Sequence, residues 1–219
     1  MLVAAHELKA PLAVIRQLAL LLPEMDASGE HMRSEMIDVS ERAIRQVNDL
    51  AKIRRLEDGL FEMEPVAVRA VCDDVTRELG YLLGQEHRHM KVKYRNRMKL
   101  VNANRELLYS VVYNFVLNAI HYANTGTSAE LIVGDVGDRV KVVVRDYGPT
   151  LPVEIWRKMN HGWLEQPVAM AMRPGSSGLG LYIASKFSRY MGAEVGAIRH
   201  RNGTSFFVEL PISRQASLF

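Results

Sequence analysis

Apolar positions in residues 1–58 recur at spacings of three and four, which places them on one face of a helix. Two such stripes are separated by Pro23 and the segment 25–29, so the pattern predicts an antiparallel helical hairpin. A lone hairpin leaves half of each stripe in water, and two copies are therefore expected to form a four-helix bundle, that is, a homodimer. The stripes are formed by Leu8, Leu12, Ile15, Leu18, Ala19 and Leu22, then by Met32, Met36, Val39, Ala43, Val47 and Leu50.

From residue 60 onward, helical and alternating patterns are interleaved. Gly137-Asp138 between two β-branched runs is typical of a tight hairpin. The segment from Pro149 to Pro174 shows no period and is predicted to be a mobile loop of about 25 residues, a length that is usually functional or disordered. This order predicts a two-layer α/β sandwich with a largely antiparallel sheet, so the whole chain is of the α+β class. Helices are expected over 68–85, 105–123 and 178–191, and strands over 91–94, 99–101, 131–136, 139–145, 194–199 and 205–210.

Composition narrows the classes of protein that fit these elements. The 219 residues are 48% hydrophobic, enough for a packed core, and the net charge of +3 is too small to indicate nucleic-acid binding. The single cysteine, Cys72, excludes an internal disulfide. Uninterrupted apolar runs reach only five residues, so no membrane contact is expected for this segment. One glycine occurs in residues 1–58, whereas six of the fifteen lie between Gly175 and Gly203.

A histidine with a carboxylate beside it precedes the first apolar stripe. His6 and Glu7 are expected on the solvent side of the first helix. A neutral imidazole is a competent nucleophile towards phosphorus, and an adjacent carboxylate can fix its tautomer and accept its proton. An exposed histidine on a helix is more often an ordinary surface residue, so this segment by itself leaves both interpretations open.

The predicted helix over 105–123 contains two asparagines and a histidine at helical spacing. Asn114, Asn118 and His121 are expected to project from one face, opposite the apolar stripe. An amide oxygen of Asn118 could complete the coordination of a hard cation such as Mg²⁺. The alternative, solvated polar residues on an amphipathic helix, is favoured when this segment is considered alone.

Two glycine-containing segments follow. Asp146, at the exit of a strand, is either a turn former or an acceptor for an exocyclic amine, with Gly148 letting a flat ring approach the backbone. The run from Gly175 to Leu181 directly precedes a predicted helix, where free backbone N–H groups bind phosphate. Dinucleotide and P-loop interpretations are disfavoured, because neither a βαβ context nor a Gly-Lys-Ser/Thr sequence is present.

Taken in order, these segments resemble the sensor histidine kinases of two-component signalling. The matching stretches are His6-Glu-Leu-Lys-Ala-Pro-Leu12, Asn114-x-x-x-Asn118, Asp146-x-Gly148 and Gly178-Leu-Gly-Leu181, supported by residues 48–59 and 203–211. The resemblance covers essentially the whole chain. It implies a dimerisation and histidine-phosphotransfer domain over 1–60 and, over 65–219, a catalytic ATP-binding domain of the kind shared with gyrase-type ATPases.

The resemblance also implies residue roles. His6 would be the phosphoacceptor, Glu7 its base or orienting partner, and Arg173 would face the γ-phosphate, while Asn118 would ligate Mg²⁺. Asp146 would hold the adenine amine, Gly148 would shape the seat of the ring, and the glycine run would anchor a lid. The residues expected to contact the nucleotide are Asn114, Asn118, His121, Tyr122, Asp146, Gly148, Gly175, Gly178, Leu179, Gly180, Leu181 and Thr204.

Several positions depart from the pattern of the family. Thr150 occupies the second glycine position of Asp-x-Gly-x-Gly, and His121 stands where lysine is frequent. A phenylalanine-containing box is not recognisable, and Trp156 and Trp163 are candidates to replace it. Ala10 lies where many members carry threonine or asparagine to position a hydrolytic water. An alanine methyl group cannot hydrogen-bond water, so weak phosphatase activity is expected.

The expected function is ATP-dependent autophosphorylation of His6, followed by transfer to an aspartate on the receiver domain of a response regulator. Two alternatives remain: a degenerate pseudokinase scaffold, or a gyrase-like ATPase, which would require a glutamate base near Tyr109 and Tyr113. A cytoplasmic location is expected, with the first helix beginning before Met1 in a longer parent protein. Whether that parent is anchored in a membrane, its stimulus, its regulator, and cis or trans phosphorylation are left open.

Overall fold

The chain divides into two compact units, Met1–Leu60 and Phe61–Phe219. The computed structural model describes residues 12, 14–20, 27–85, 89–95, 99–124, 127–161 and 178–214. In these ranges, no helix combines the length and the apolar character that crossing a membrane requires. The predicted catalytic residues His6, Glu7 and Arg173 lie outside the described residues, as does Gly175.

The first unit contains two helical segments that pack against each other. Residues 14–20 are helical, and α1 extends over Ala27–Glu57. The Nε atom of Arg33 donates to the carbonyl of Ala19 at 2.9 Å, and Arg16 forms a 2.7 Å ion pair with Glu41. Both contacts join positions of α1 to the preceding segment. The four-helix bundle requires a second chain and stays a proposal.

The second unit contains a five-stranded mixed sheet and a separate two-stranded one. Its strands are β1 (Glu64–Val66), β2 (His89–Tyr94), β3 (Val101–Ala103), β4 (Ser128–Val136), β5 (Arg139–Arg145), β6 (Glu194–His200) and β7 (Gly203–Pro211). Its helices are α2 (Val68–Glu78), α3 (Gly80–Gln85), α4 (Arg105–Tyr122), α5 (Val153–His161) and α6 (Leu179–Tyr190).

The order of the large sheet is β2-β4-β5-β7-β6, in which β2 is parallel to β4 and every other pair is antiparallel. Alternate residues of the central strands are fully buried, including Val142 on β5 and Val208 on β7, because one face of the sheet packs against helices. Phe115 of α4 stacks on Phe206 of β7 with ring centroids 5.7 Å apart. The predicted mixed α/β architecture of this unit is confirmed.

The prediction of an aperiodic loop from Pro149 to Pro174 was wrong in its first half, where α5 forms. Ile155 and Met159, one helical turn apart, are buried on its inner side. Pro152 immediately precedes the helix, a position where a missing N–H costs nothing. Residues 162–177 lie outside the described part of the chain. The expected helix over 68–85 is divided into α2 and α3 at Leu79.

Helix α5 covers the edge of the large sheet. The side-chain amide of Asn160 accepts from the backbone N–H of Ala197 at 2.9 Å and donates to its carbonyl at 2.8 Å. The indole N–H of Trp156 donates to the same carbonyl at 2.9 Å. Since β6 is an edge strand, these bonds satisfy backbone groups that would otherwise be open to another strand.

Candidate functional site

Asn114 is buried in the middle of α4, with 8% of its surface exposed. Its Nδ2 donates to the carbonyl of Ser110 at 2.8 Å, one turn earlier on the same helix. The interpretation of Asn114 as a solvated polar residue is therefore wrong. One turn later, the Nδ2 atom of Asn118 is buried and forms no hydrogen bond with any described residue. A buried amide atom without a partner is costly, so this position is suited to a ligand.

The predicted glycine-opened helix forms as α6, and its first turn packs directly against Asn114. Gly178 adopts a left-handed conformation (φ +67°) at the N-cap, which a side chain would strain. A Cβ atom on Gly180 would lie 2.6 Å from the Oδ1 atom of Asn114. Gly180 thus allows the N-terminus of α6 to approach the asparagine helix. The N-terminus of a helix is a position that favours anions.

Gly148, just after the end of β5, packs against the end of α4. A Cβ atom at this position would lie 1.7 Å from the carbonyl oxygen of Tyr122. The backbone N–H of Asn124 also donates to the carbonyl of Tyr147, at 3.3 Å. The space that the missing side chain leaves on Gly148 is therefore occupied by the helix end. The sequence predicts that Gly148 lets a flat ring approach the backbone. In the structure, the space beside Gly148 is filled by the backbone of Tyr122 instead.

Asp146 is 1% exposed and is held by the main chain. Its Oδ1 accepts from the backbone N–H groups of Gly148 and Thr204, each at 3.1 Å. Its own N–H donates to the carbonyl of Thr204 at 2.9 Å. Gly203, with φ +122°, is required beside it, because a Cβ there would lie 2.1 Å from the Asp146 carbonyl oxygen. These contacts fix the orientation of the carboxylate.

The turn between β6 and β7 adds groups that sequence reasoning missed. Arg145 donates to Oδ1 of Asn202 at 2.9 Å and lies over the ring of Tyr147, 4.5 Å from its centroid. Burial lowers the pKa of the His200 imidazole, the Arg145 guanidinium lowers it further, and the Asp146 carboxylate acts in the opposite direction. The Asn202-Gly203 dipeptide, a strong turn signal, could have pointed to this region.

The structure brings together most of the described residues that we predicted for the site. Asn114 contacts Gly180, Tyr122 contacts Gly148, and Asp146 contacts Thr204. Asn118 and His121 follow Asn114 on α4, and Leu179 and Leu181 lie in the first turn of α6. Within the described residues, no three histidine, cysteine or acidic side chains form a metal-binding group.

The sequence family described as histidine kinase-, DNA gyrase B- and HSP90-like ATPase matches residues 103–214, slightly more than half of the chain. The chain belongs to this family. The match includes α4, the end of β5, α6 and β7, which are the elements that form the site.

Similar proteins with curated descriptions extend over almost the whole chain. A probable sensor histidine kinase TcrY of Mycobacterium tuberculosis is 26% identical over 95% of this chain and 44% of its own length. Sensor histidine kinase MtrB of Mycolicibacterium paratuberculosis is 26% identical over 96% of this chain and 38% of its own. The chain therefore spans less than half the length of these relatives. The resemblance to sensor histidine kinases is confirmed.

Solved structures share the fold. Full-length ShkA in complex with AMPPNP gives a TM-score of 0.69 at 20% identity, covering 96% of this chain and 45% of ShkA. Histidine kinase ThkA in complex with the response regulator TrrA gives 0.63 at 20% identity, covering 96% of this chain and 60% of that one.

Replacing Gly148 with alanine is expected to lower the free energy of unfolding by about 3 kcal/mol, because the new Cβ would overlap the Tyr122 carbonyl and two backbones would have to separate. Urea denaturation monitored by circular dichroism measures this. Gly84→Ala is the matched control, since no atom lies within 4 Å of its Cβ position. Equal urea midpoints for the two variants would contradict the proposed packing.

Proposed function

We propose that this chain is a protein histidine kinase that transfers the γ-phosphoryl group of ATP to His6 and then to an aspartate of a response regulator. The observation that supports this proposal best is that α4 contacts both glycine-containing segments within one unit of the ATPase family. Asn114 lies against Gly180, and Tyr122 lies against Gly148, whose N–H is bonded to Asp146. The named relatives are sensor histidine kinases, and one similar structure holds a response regulator. A cytoplasmic location is part of this proposal.

Asp146 is the proposed acceptor for the exocyclic amine of adenine. Two backbone N–H groups bind its Oδ1 and hold the buried carboxylate in one orientation before any ligand arrives. A preorganised acceptor loses little conformational entropy on binding. Thr204 contributes through its backbone, and its fully buried side chain accepts from the N–H of Leu151 at 3.0 Å.

Asn118 is the proposed protein ligand for Mg²⁺. Its amide nitrogen is buried without a described partner, and a half-turn of the amide would present the oxygen, a ligand that Mg²⁺ accepts. The chemistry of the donors therefore fits a magnesium ion bound through one amide together with phosphate and water oxygens. When bound, the ion would neutralise charge on the phosphates. His121, one turn further along α4, and the first turn of α6 are proposed to face the same phosphates.

The transfer itself is assigned to residues outside the described part of the chain. A ring nitrogen of His6 would attack the γ-phosphorus, and the bond from phosphorus to the oxygen of ADP would break. Glu7 would take the imidazole proton, and Arg173 would stabilise the charge of the transferred group. Positioning and charge neutralisation would supply most of the catalysis.

A homodimer is proposed from the surface of the first unit. Among the described residues of its two helical segments, seven large apolar side chains are 38–63% exposed in the single chain, an arrangement typical of an interaction surface. A second copy would bury the five of them that belong to the two predicted stripes, Ile15, Leu18, Met32, Met36 and Val39, in a four-helix bundle. Residues 1–60 would then be the dimerisation and phosphotransfer domain, and 65–219 the catalytic domain. The seven are Val14, Ile15, Leu18, Leu20, Met32, Met36 and Val39.

Two other functions compete with this proposal. A gyrase-like ATPase would require a carboxylate base on α4, but Glu106, in the first turn, is the last acidic residue of that helix. The hydroxyl of Tyr109 donates a hydrogen bond to Glu78, and Tyr113 is buried, so neither tyrosine supplies a base. A pseudokinase scaffold is favoured by Thr150 and by the unusual sequence of the lid. His6, Asn118 and Gly178-Leu-Gly180 weigh against it, and the Nδ2 atom of Asn118 is buried without a described partner.

His6→Gln is expected to abolish incorporation of ³²P from labelled ATP while leaving ATP binding intact.

Asp146→Asn should instead raise the Kd for ATP about 10- to 100-fold, because an NH₂ group replaces one acceptor oxygen and the other still accepts from the backbone. Autoradiography and calorimetry measure the two effects. Label retained in the His6 variant would refute the phosphoacceptor assignment. Release of free phosphate by the wild type would identify a gyrase-like ATPase, and the absence of any turnover of ATP would identify a pseudokinase scaffold.

Phosphatase activity towards the regulator is expected to be weak, because Ala10 cannot hold a water molecule. A receiver domain phosphorylated by this chain should lose its phosphate at nearly the intrinsic rate when ADP is added. Ala10→Thr is the informative comparison, since its hydroxyl should accelerate the loss several-fold. Rapid dephosphorylation by the wild type would refute the proposal.

The homodimer predicts a mass in light scattering twice that of one chain. Combining Leu18→Glu with Val39→Glu should produce monomers, because both exposed positions would be buried as charges in the bundle. Val136→Glu, at an equally exposed position in the second unit, is the control and should leave the mass unchanged. A monomeric wild type at micromolar concentration would contradict the dimer.

A further inference from the structure

The segment 146–151 is fastened to the β6–β7 hairpin at both of its ends. At its start, Asp146 is bonded to the backbone of Thr204. At its end, the N–H of Leu151 donates to Oγ1 of Thr204 at 3.0 Å, and the Leu151 carbonyl accepts from Nε of Arg199 at 2.8 Å. These bonds cross more than 45 positions of sequence, so they fix the segment in space rather than only locally.

Between these ends, one side chain supplies the connection to the hairpin. The hydroxyl of Thr150 donates to the carbonyl of His200, the last residue of β6, at 2.9 Å. Its neighbours Gly148, Pro149 and Leu151 have no polar side-chain atoms. The second glycine expected at this position by resemblance could not make this bond. The connection therefore depends on the threonine that this chain carries at position 150.

We infer that Thr150 is a positioning residue for the adenine nucleotide: its bond to the His200 carbonyl holds the segment 146–151 in the shape that presents Asp146. This inference rests on the proposed function, because it presumes that Asp146 binds adenine. Thr150 makes no described hydrogen bond with Asp146 and, in this assignment, does not contact the ligand. It acts by keeping the segment ordered before binding, which removes part of the entropy cost that the nucleotide would otherwise meet.

The expected size of the effect follows from a single neutral hydrogen bond. Such a bond contributes a factor of roughly 2 to 10 to an equilibrium. Loss of the hydroxyl should therefore weaken nucleotide binding about two- to tenfold, and the change should appear mainly in the dissociation rate, where most changes in affinity are found. Loss of Asp146 itself should have a larger effect, because that carboxylate is proposed to bind the ligand directly.

The test compares Thr150→Val, which keeps the side-chain shape but removes the hydroxyl, with Thr150→Ser, which restores it. Stopped-flow fluorescence with mant-ADP on the whole chain measures association and dissociation rates. We expect two- to tenfold faster dissociation for Thr150→Val and rates near the wild type for Thr150→Ser. Thr76→Val is the matched control, because Thr76 also donates to a backbone carbonyl, that of Cys72, but on α2.

Hydrogen exchange without nucleotide provides a second measurement that a change in overall stability would not mimic. The N–H of Leu151 should exchange faster in Thr150→Val, while amides of the central strand β5 keep their wild-type rates. Unchanged exchange at Leu151, or unchanged mant-ADP kinetics in a variant of a wild type that binds, would overturn the inference alone. A wild type that does not bind mant-ADP would overturn the proposed function, and the inference with it.

Discussion

The contact between Gly148 and the last carbonyl of α4 sets the geometry on which the rest of the site depends. Two main chains approach there more closely than any side chain would allow, since a Cβ would lie 1.7 Å from the Tyr122 oxygen. Gly180 makes the same kind of approach to the amide of Asn114, and Gly203 to the carbonyl of Asp146. Three glycines thus locate the asparagine helix, the end of β5, α6 and the β6–β7 turn against one another.

This construction has a consequence for the chemistry. The buried carboxylate of Asp146 is oriented by the backbone N–H groups of Thr204, on β7, and of Gly148, just after β5, rather than by flexible side chains. The end of the segment 146–151, at Thr150 and Leu151, is held by the side chains of Thr150 and Arg199 instead. An acceptor that is fixed before a ligand arrives binds it at a lower entropic cost. Rigidity therefore belongs to the base of the site and comes from the main chain.

Most elements of the second unit could be predicted because their patterns are local. The β-branched runs of β4 and β5 and the apolar spacing of α4 each reflect burial of one face of a single element. Helix α5 was missed because its flanking prolines are usual loop residues, and its buried side, Ile155 and Met159, is too short to show a period. The alternative of a solvated Asn114 was wrong for a related reason: α4 is buried on nearly all sides, so a polar residue on it does not indicate contact with solvent.

The sequence by itself determined the order of the motifs, the element types and the family resemblance, because each depends on residues close together along the chain. It also predicted which side chains bind adenine, phosphate and a hard cation. Only the tertiary structure decided that Gly148 and Gly203 allow backbone to pack against backbone, that Gly180 packs against the Asn114 amide, and that Thr150 donates a hydrogen bond to His200. Those contacts join residues dozens of positions apart, and no local pattern of hydrophobic and polar residues records which distant main chains will meet.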